Sequence, residues 1–333
     1  MAENRIRVHP RTWYSEHMSG FRHTTASIPT GSGSNRLVTS QAEMKDKILR
    51  EFKGATFVDN LTAAGAPLQA DASDVQRVLD HLQDNFDLTH ETLLSEDDST
   101  PKDPRLPPDG FRRETRSYRP FTHLLNRIID SANSCLTGPR YLKNLRFEPY
   151  DINMVDRLDS ENPLKPDILG LLRSRTPRKK VSWIDVATFI EVKALLVEAI
   201  KQLATYARNH LTFNQRLSFS IAMHFNHETL SLRFLCFHRS GISTSPQLNL
   251  KQEGGFRSFI EHMVGLLSIA DENAFGLDMT RFEDVYLINN LKYKIVRTIQ
   301  MRKSICGHAT VVYRLNRAYL ALWLVRTQFT HCI

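Results

Sequence analysis

The chain has 333 residues, 41% of them apolar, which is room for two modest domains or one large one and too much core-forming material for complete disorder. Its four cysteines, Cys135, Cys236, Cys306 and Cys332, stand far apart with no CxxC pair, so the composition argues against a zinc module or a disulfide framework and for a reducing, intracellular setting in cytoplasm or nucleus. The net charge of +8 and pI near 9.3 raise the expectation of a polyanionic partner. That charge is unevenly spread. Lys292, Lys294, Arg297, Arg302, Lys303, Arg314, Arg317 and Arg326 fall between Val285 and Ile333, where there is no Asp or Glu; 44 basic residues less these eight leaves 36, against 36 acidic ones, so the remainder is formally neutral.

In chain order, residues 1–36 mix Ser, Thr, Gly, His and Arg without apolar periodicity, close on Gly31-Ser32-Gly33-Ser34, and are expected to form a flexible arm. A glycine-rich phosphate loop would need a preceding strand and a following Gly-Lys-Ser/Thr, and neither is present. The opening Met1-Ala2-Glu3-Asn4-Arg5 has no apolar h-region, and the longest apolar run, Tyr319 to Val325, is too short for a bilayer; neither secretion nor membrane insertion is expected. Residues 37–94 read as a helical region with two amphipathic helices. The second has Asp71 or Ser73 as a cap and Val75, Val78, Leu79 and Leu82 at helical spacing. Residues 95–118 carry acidic side chains and Pro101, Pro104, Pro107 and Pro108, which predicts a linker.

A further helix is predicted from Phe121 to Leu136, with Leu124, Leu125, Ile128 and Ile129 on one stripe. Leu217, Phe219, Ile221, Met223 and Phe225 alternate with other residues, as do Leu230, Leu232, Phe234 and Cys236. That is the pattern of neighbouring strands with one buried face, and Asn226-His227-Glu228 predicts an antiparallel hairpin between them.

Chemistry concentrates in the middle of the chain. Pro166-Asp167 opens the apolar segment Ile168 to Leu172, and Glu191-Val192-Lys193 ends a second strand able to pair with it. The period of two puts Phe189, Glu191 and Lys193 on one face and Ile190 and Val192 on the other. Two carboxylates, Asp167 and Glu191, together with the Val192 carbonyl suit a hard Mg²⁺ ion, and the Lys193 ammonium would hold the attacking water or offset phosphate charge. A helix predicted from Ala194 to His210 carries Gln202 and Tyr206 four apart on one face. In this order the elements resemble the PD-(D/E)xK superfamily, above all its RecB-like branch. The resemblance implies an α/β (α+β) domain over residues 119–284, a mixed sheet flanked by helices behind an N-terminal helical extension. It also implies a Mg²⁺-dependent nuclease site of Asp167, Glu191, Lys193, Gln202 and Tyr206, with Asp167 and Glu191 as metal ligands. The alternative is structural: Asp167 caps a turn, Glu191 and Lys193 form a solvated ion pair, and Gln202 and Tyr206 pack. The loop between the paired strands holds Arg173, Arg175, Arg178, Lys179 and Lys180, either a grip on a nucleic-acid backbone or a solvated hairpin tip. His224 and His227 sit on a strand whose odd and even positions face apart, which argues against joint metal binding.

Lys165-Pro166-Asp167, Trp183, Ile190-Glu191-Val192-Lys193, Gln202-Leu203-Ala204-Thr205-Tyr206-Ala207, Gln215-Arg216, Arg239-Ser240-Gly241 and Phe275-Gly276-Leu277-Asp278 are together similar to the fungal-type protein kinase family. The likeness runs from about Arg140 to Val312 and departs at His238, where Asp is expected. It implies fungal origin and a kinase domain that follows. Residues 285–333 then resemble an incomplete start of a kinase N-lobe. Ile305-Cys306-Gly307-His308-Ala309 stands for the glycine-rich turn with only Gly307 kept, no lysine follows Lys303, and no HRD or DFG triplet occurs, so ATP binding is not expected. Two functions remain: an N-terminal regulatory or interaction module with a protein partner, truncated at the start of the kinase domain, or a Mg²⁺-dependent nuclease.

Overall fold

The computed structural model describes residues 50, 56–57, 59, 68–85, 109–150, 152–155, 164–172, 180–238, 241–282, 285–288, 291–301, 309–317 and 320–328. The expected flexible arm, the first amphipathic helix, the basic loop from Arg173 to Lys179, Arg239-Ser240 and the Gly307 turn lie outside these residues. The chain divides into two units, Met1–Val38 and Thr39–Ile333, and the elements that follow belong to the second.

Helix α1 (Ala72–Asn85) starts at the predicted cap. Asp71 Oδ1 accepts from the Ser73 amide at 2.8 Å and from its hydroxyl at 2.6 Å, satisfying one of the amides a helix start leaves unpaired. These bonds from Ser73 hold the Asp71 carboxyl below its usual range. Val75, Val78, Leu79 and Leu82 are the buried stripe, as the spacing predicts.

Helix α2 runs Asp109–Cys135 and begins well before the expected Phe121. The stretch from Asp109 to Tyr118 is therefore helix and not linker, which corrects the 95–118 boundary. Pro120 removes an amide from the helix interior and would ordinarily end it. Here the turns before it are tied to the sheet by Glu114 and Tyr118, described below, and Ser117 Oγ donates to the Glu114 carbonyl at 2.6 Å. A second correction concerns the helical region 37–94, which also contributes the short strand β1 (Thr56–Phe57), paired in parallel with the free edge of β7 (Gly241–Thr244).

After α2 come β2 (Arg146–Pro149), β3 (Ile168–Leu171), β4 (Val186–Val192), α3 (Leu196–Phe213), β5 (Phe219–Asn226), β6 (Ser231–His238), β7, β8 (Leu248–Asn249) and α4 (Glu253–Leu267). They form one mixed sheet in the order β1-β7-β6-β5-β4-β3-β2, with β8 attached to β6. β2, β3 and β4 run antiparallel. β4 and β5 are parallel, which requires a crossover, and α3 supplies it. β5 and β6 form the predicted antiparallel hairpin. On the outer edge, Asn126 of α2 donates to the Phe147 carbonyl and accepts from its amide, both at 2.9 Å, so β2 does not present these groups as a bare edge.

The sheet is buried on both faces. Ile168, Ile190, Val192, Ile221, Met223, Phe225 and Phe234 pack with α1, α2 and α4, where Phe121 stacks on Phe225 with centroids 4.1 Å apart. Leu169, Phe189, Ala222, Leu235 and Phe237 pack with Trp183 and with Ala199, Leu203, Ala204 and Tyr206 of α3. Strands β5 and β6 thus bury the face that the alternation left to solvent. That face carries small or polar residues: Ala222 packs with Ala199, Ala204 and Ala207 of α3, Ser220 meets His210 of α3, and His224 meets the Lys193 carbonyl.

Gly265 in α4 lies against α1's leading segment: a Cβ there would fall on the Leu68 backbone. Gly265→Ala is expected to cost about 1–3 kcal/mol, the usual penalty of overpacking a dense contact. The check is the shift of the urea midpoint at unchanged m-value.

A second sheet, order β13-β12-β11-β10-β9, follows: β9 (Arg281–Phe282), β10 (Val285–Ile288), β11 (Leu291–Met301), β12 (Ala309–Arg317) and β13 (Leu320–Gln328). It is an antiparallel meander whose small core is Tyr286, Tyr293, Tyr313 and Leu315. The Tyr313 hydroxyl donates to Gln215 Oε1, joining the meander to the end of α3.

Candidate functional site at the ends of β3 and β4

Asp167 immediately precedes β3, and Lys193 immediately follows β4. The antiparallel register Ile168↔Ile190 brings these neighbours together, as the paired apolar segments predict. Asp167 Oδ2 accepts from the Val192 amide at 2.8 Å and Oδ1 from the Tyr118 hydroxyl at 2.6 Å. The Lys193 ammonium stands 3.5 Å from Glu191 Oε1 and donates to Glu114 Oε1 at 2.5 Å. Glu114 Oε1 also stands 3.1 Å from the Tyr118 hydroxyl, whose single proton is directed to the nearer Asp167 oxygen. One cation is thus shared among three carboxylates.

Glu191 is 0% exposed, and neither of its carboxylate oxygens is in hydrogen-bond geometry with a partner. The solvated ion pair considered as the alternative reading is corrected by this burial. The strand's alternation aims Glu191 into the space between the sheet and α3, where Phe189 lies beside Tyr206 and Trp183. Burial, and then the charge of Asp167, push the Glu191 carboxyl well above its usual range, against the pull of Lys193. Asp167 is also raised by burial, partly offset by the Tyr118 and Val192 hydrogen bonds. Burial pulls Lys193 down, yet the Glu114 hydrogen bond and the Glu191 and Asp167 charges outweigh it and raise the ammonium above its usual value.

Gln202 and Tyr206 also reach the site from α3. Gln202 donates to the Tyr206 hydroxyl at 3.2 Å, and that hydroxyl donates to the Lys165 carbonyl at 3.0 Å. Burial and the nearby Glu191 charge raise the Tyr206 phenol well above its usual value, so it stays a neutral donor. The chain at Lys193 is held by β5: its amide donates to the Phe225 carbonyl at 3.1 Å, and its carbonyl accepts from His224 Nε2 at 2.8 Å. A carbonyl can only accept, which assigns the Nε2–H tautomer. His224 therefore positions the backbone, and Asn226 does the same by donating to the Ala194 carbonyl at 2.7 Å.

All five predicted site residues converge. Sequence reasoning missed Glu114 and Tyr118, which fell in the expected linker. The signal available was their spacing of four, which continues through Thr122 and Leu125 as one helical face. Of the basic loop only Lys180 is described, and it is exposed.

As donors for a divalent ion, Asp167 and Glu191 have the right chemistry, and the Glu191 oxygens make no hydrogen bond, although Oε1 faces the Lys193 ammonium at 3.5 Å. Among the described residues, however, no group of three or more His, Cys, Asp or Glu side chains is arranged to hold a metal. Lys193 lies where a cation would offset these charges. No helix among the described residues is long and apolar enough to cross a membrane.

Comparison with known proteins adds one finding. Residues 165–322 match the family described as fungal protein kinase, while no curated protein and no solved structure matches the chain. The match opens at the Lys165-Pro166-Asp167 motif, takes in the whole Asp167, Glu191, Lys193, Gln202 and Tyr206 constellation, and ends within β13. The similarity to the fungal protein kinase family thus extends over residues 165–322, a little under half of the chain.

Proposed function

We propose that this chain is a non-catalytic regulatory or interaction module of a kinase-family protein, and that its PD…ExK cluster ties α2 to the sheet instead of cutting phosphodiesters. The observation that carries this reading is the engagement of both would-be catalytic groups by one helix: Glu114 takes the Lys193 ammonium, and Tyr118 takes an oxygen of Asp167. A lysine held in a salt bridge is not free to orient an attacking water.

The nuclease is the second reading, favoured by the buried Glu191 carboxylate, whose oxygens make no hydrogen bond and have the chemistry of divalent-ion ligands. Incubation with single-stranded and duplex DNA and RNA at low salt, with Mg²⁺ or Mn²⁺, separates the two. The expected result is no metal-dependent cleavage above the Glu191→Gln background, and no autophosphorylation with Mg·ATP. Cleavage that requires metal and disappears in a folded Glu191→Gln variant would overturn the proposal. Glu191→Gln keeps the side-chain volume, so its folding is expected to survive.

A further inference from the structure

Two motifs of the sequence take no part in the cluster around Lys193: Gln215-Arg216 and Phe275-Gly276-Leu277-Asp278. The fold brings them together. Gln215 and Arg216 occupy the turn between α3 and β5, where the Asn214 amide donates to the His210 carbonyl at 2.8 Å and the Leu217 amide to the Asn214 carbonyl at 3.0 Å. From this turn the backbone pairs with the second motif. Leu217 forms an antiparallel bridge with Leu277, the Ser218 amide donates to the Gly276 carbonyl at 3.0 Å, and the Asp278 amide donates to the Arg216 carbonyl at 2.9 Å. Gly276 permits this approach: its φ is +83°, and a Cβ there would stand 2.4 Å from the Phe219 ring. The Arg216 guanidinium closes the contact by donating to Glu272 and, at 3.4 Å, to the Asp278 carbonyl.

Each of the two turn residues leads into the meander by its own route. On the Arg216 side, Asp278 Oδ1 accepts from the Thr280 amide at 2.9 Å and from its hydroxyl at 2.7 Å, and the Thr280 carbonyl accepts from the Leu287 amide of β10 at 2.7 Å. On the other side, Gln215 Oε1 accepts from the hydroxyl of Tyr313 in β12. Tyr313 belongs to the small core of the meander and is 1% exposed, with its ring 5.5 Å from that of Tyr286. A buried phenol spends its proton on a partner, and Gln215 of the α/β module accepts it. One attachment would let the meander swivel about it. Two, at β10 and at β12, fix its direction.

We propose that Gln215-Arg216 and Phe275-Gly276-Leu277-Asp278 form one docking joint, an interaction surface on the α/β module whose partner is the meander of the same chain. The inference rests on the module reading above and names the partner: the module holds in place, within its own chain, the segment that resembles the start of a kinase N-lobe.

The test is hydrogen exchange of the full chain, read separately on the amides of β10, β11 and β12 and on those of β4 and β5, for wild type, Tyr313→Phe, Gln215→Ala and the double variant. Each single variant removes one side of the Tyr313–Gln215 bond and is expected to speed exchange in the meander about tenfold, the scale of one buried hydrogen bond. The double variant is expected to add little to either, since both lose the same bond. Arg216→Gln, which gives up Glu272, is expected to speed exchange at the Asp278 and Leu287 amides. In all four variants β4 and β5 are expected to keep wild-type rates, which also reports that the variants fold. Unchanged exchange at either attachment would overturn the joint. So would equal acceleration in β4 and β5, which would make the turn part of a common core. The measurement needs no metal and no nucleic acid, so cleavage that overturned the module reading would leave it standing, and its failure would leave the module with a partner outside this chain.

Discussion

Lys193→Met is expected to destabilise the protein by about 3–5 kcal/mol at neutral pH, the range seen when one partner is removed from a buried ion pair. Read from the strand alone, Lys193 is an end residue whose head group could be lost at little cost. The structure reverses that expectation, since the ammonium is the cation shared by Glu114 and Glu191, with Asp167 beside them. Methionine keeps much of the apolar stem, so the loss reports charge more than packing. The sign with pH follows from the raised Lys193 pKa: its contribution is fully present below the usual lysine value of 10.5 and is lost only as pH climbs through the higher folded value. The destabilisation should therefore be full at pH 7. It should shrink toward pH 5, where the carboxyls left behind take up protons. Adding Glu191→Gln should recover part of the loss, because it removes the most buried of those carboxylates. Urea unfolding of the wild type, both single variants and the double variant at the two pH values gives the coupling. A cost below about 1 kcal/mol, as for an exposed pair, would show that the cluster does not tie α2 to the sheet.

Acid should weaken the fold through His210. This residue is 0% exposed, with Nδ1 2.8 Å from Ser220 Oγ, Nε2 2.9 Å from the Val186 carbonyl, and the rings of Trp183 and Phe189 beside it. Burial lowers its pKa from 6.5 to about 4. A histidine depressed in the fold stays neutral there while the unfolded chain is protonated, so stability is held above pH 6.5 and falls as pH drops toward 4. The depression corresponds to about 3 kcal/mol at its limit. His238, also lowered to about 4 by burial, acts in the same direction. Glu191 and Asp167 act in the opposite one, because carboxyls raised in the fold gain stability as they protonate. A difference profile isolates His210. His210→Gln loses ring packing and should be less stable at pH 7, with the gap to wild type closing by about 3 kcal/mol at pH 4. A gap constant with pH would show that His210 does not stay neutral.

Much of the central architecture was legible because its signals are local. The spacing of Val75, Val78, Leu79 and Leu82, with Asp71 before them, specifies a capped amphipathic helix whatever packs on it. Alternation from Phe219 to Phe225 and from Leu232 to Cys236, with Asn226-His227-Glu228 between, specifies a hairpin. Asp167 and Glu191-Val192-Lys193 could be placed together because pairing two adjacent strands leaves few registers, and Gln202 and Tyr206 follow from the helix that the parallel connection requires. What only the tertiary structure decided depends on neighbours remote in the chain. Pro120 reads as the end of a helix until Glu114 and Tyr118 are seen to hold the turns before it against Lys193 and Asp167. The second face of β5 reads as solvent-facing until α3 covers Ser220, Ala222 and His224. From the sequence, Glu191 reads as a metal ligand or as half of a solvated ion pair at a strand end. Its burial, and hence its raised pKa and its dependence on one shared lysine, is set by three elements closing over it, since the solvation a carboxylate keeps is a property of its surroundings and not of its position in the sequence.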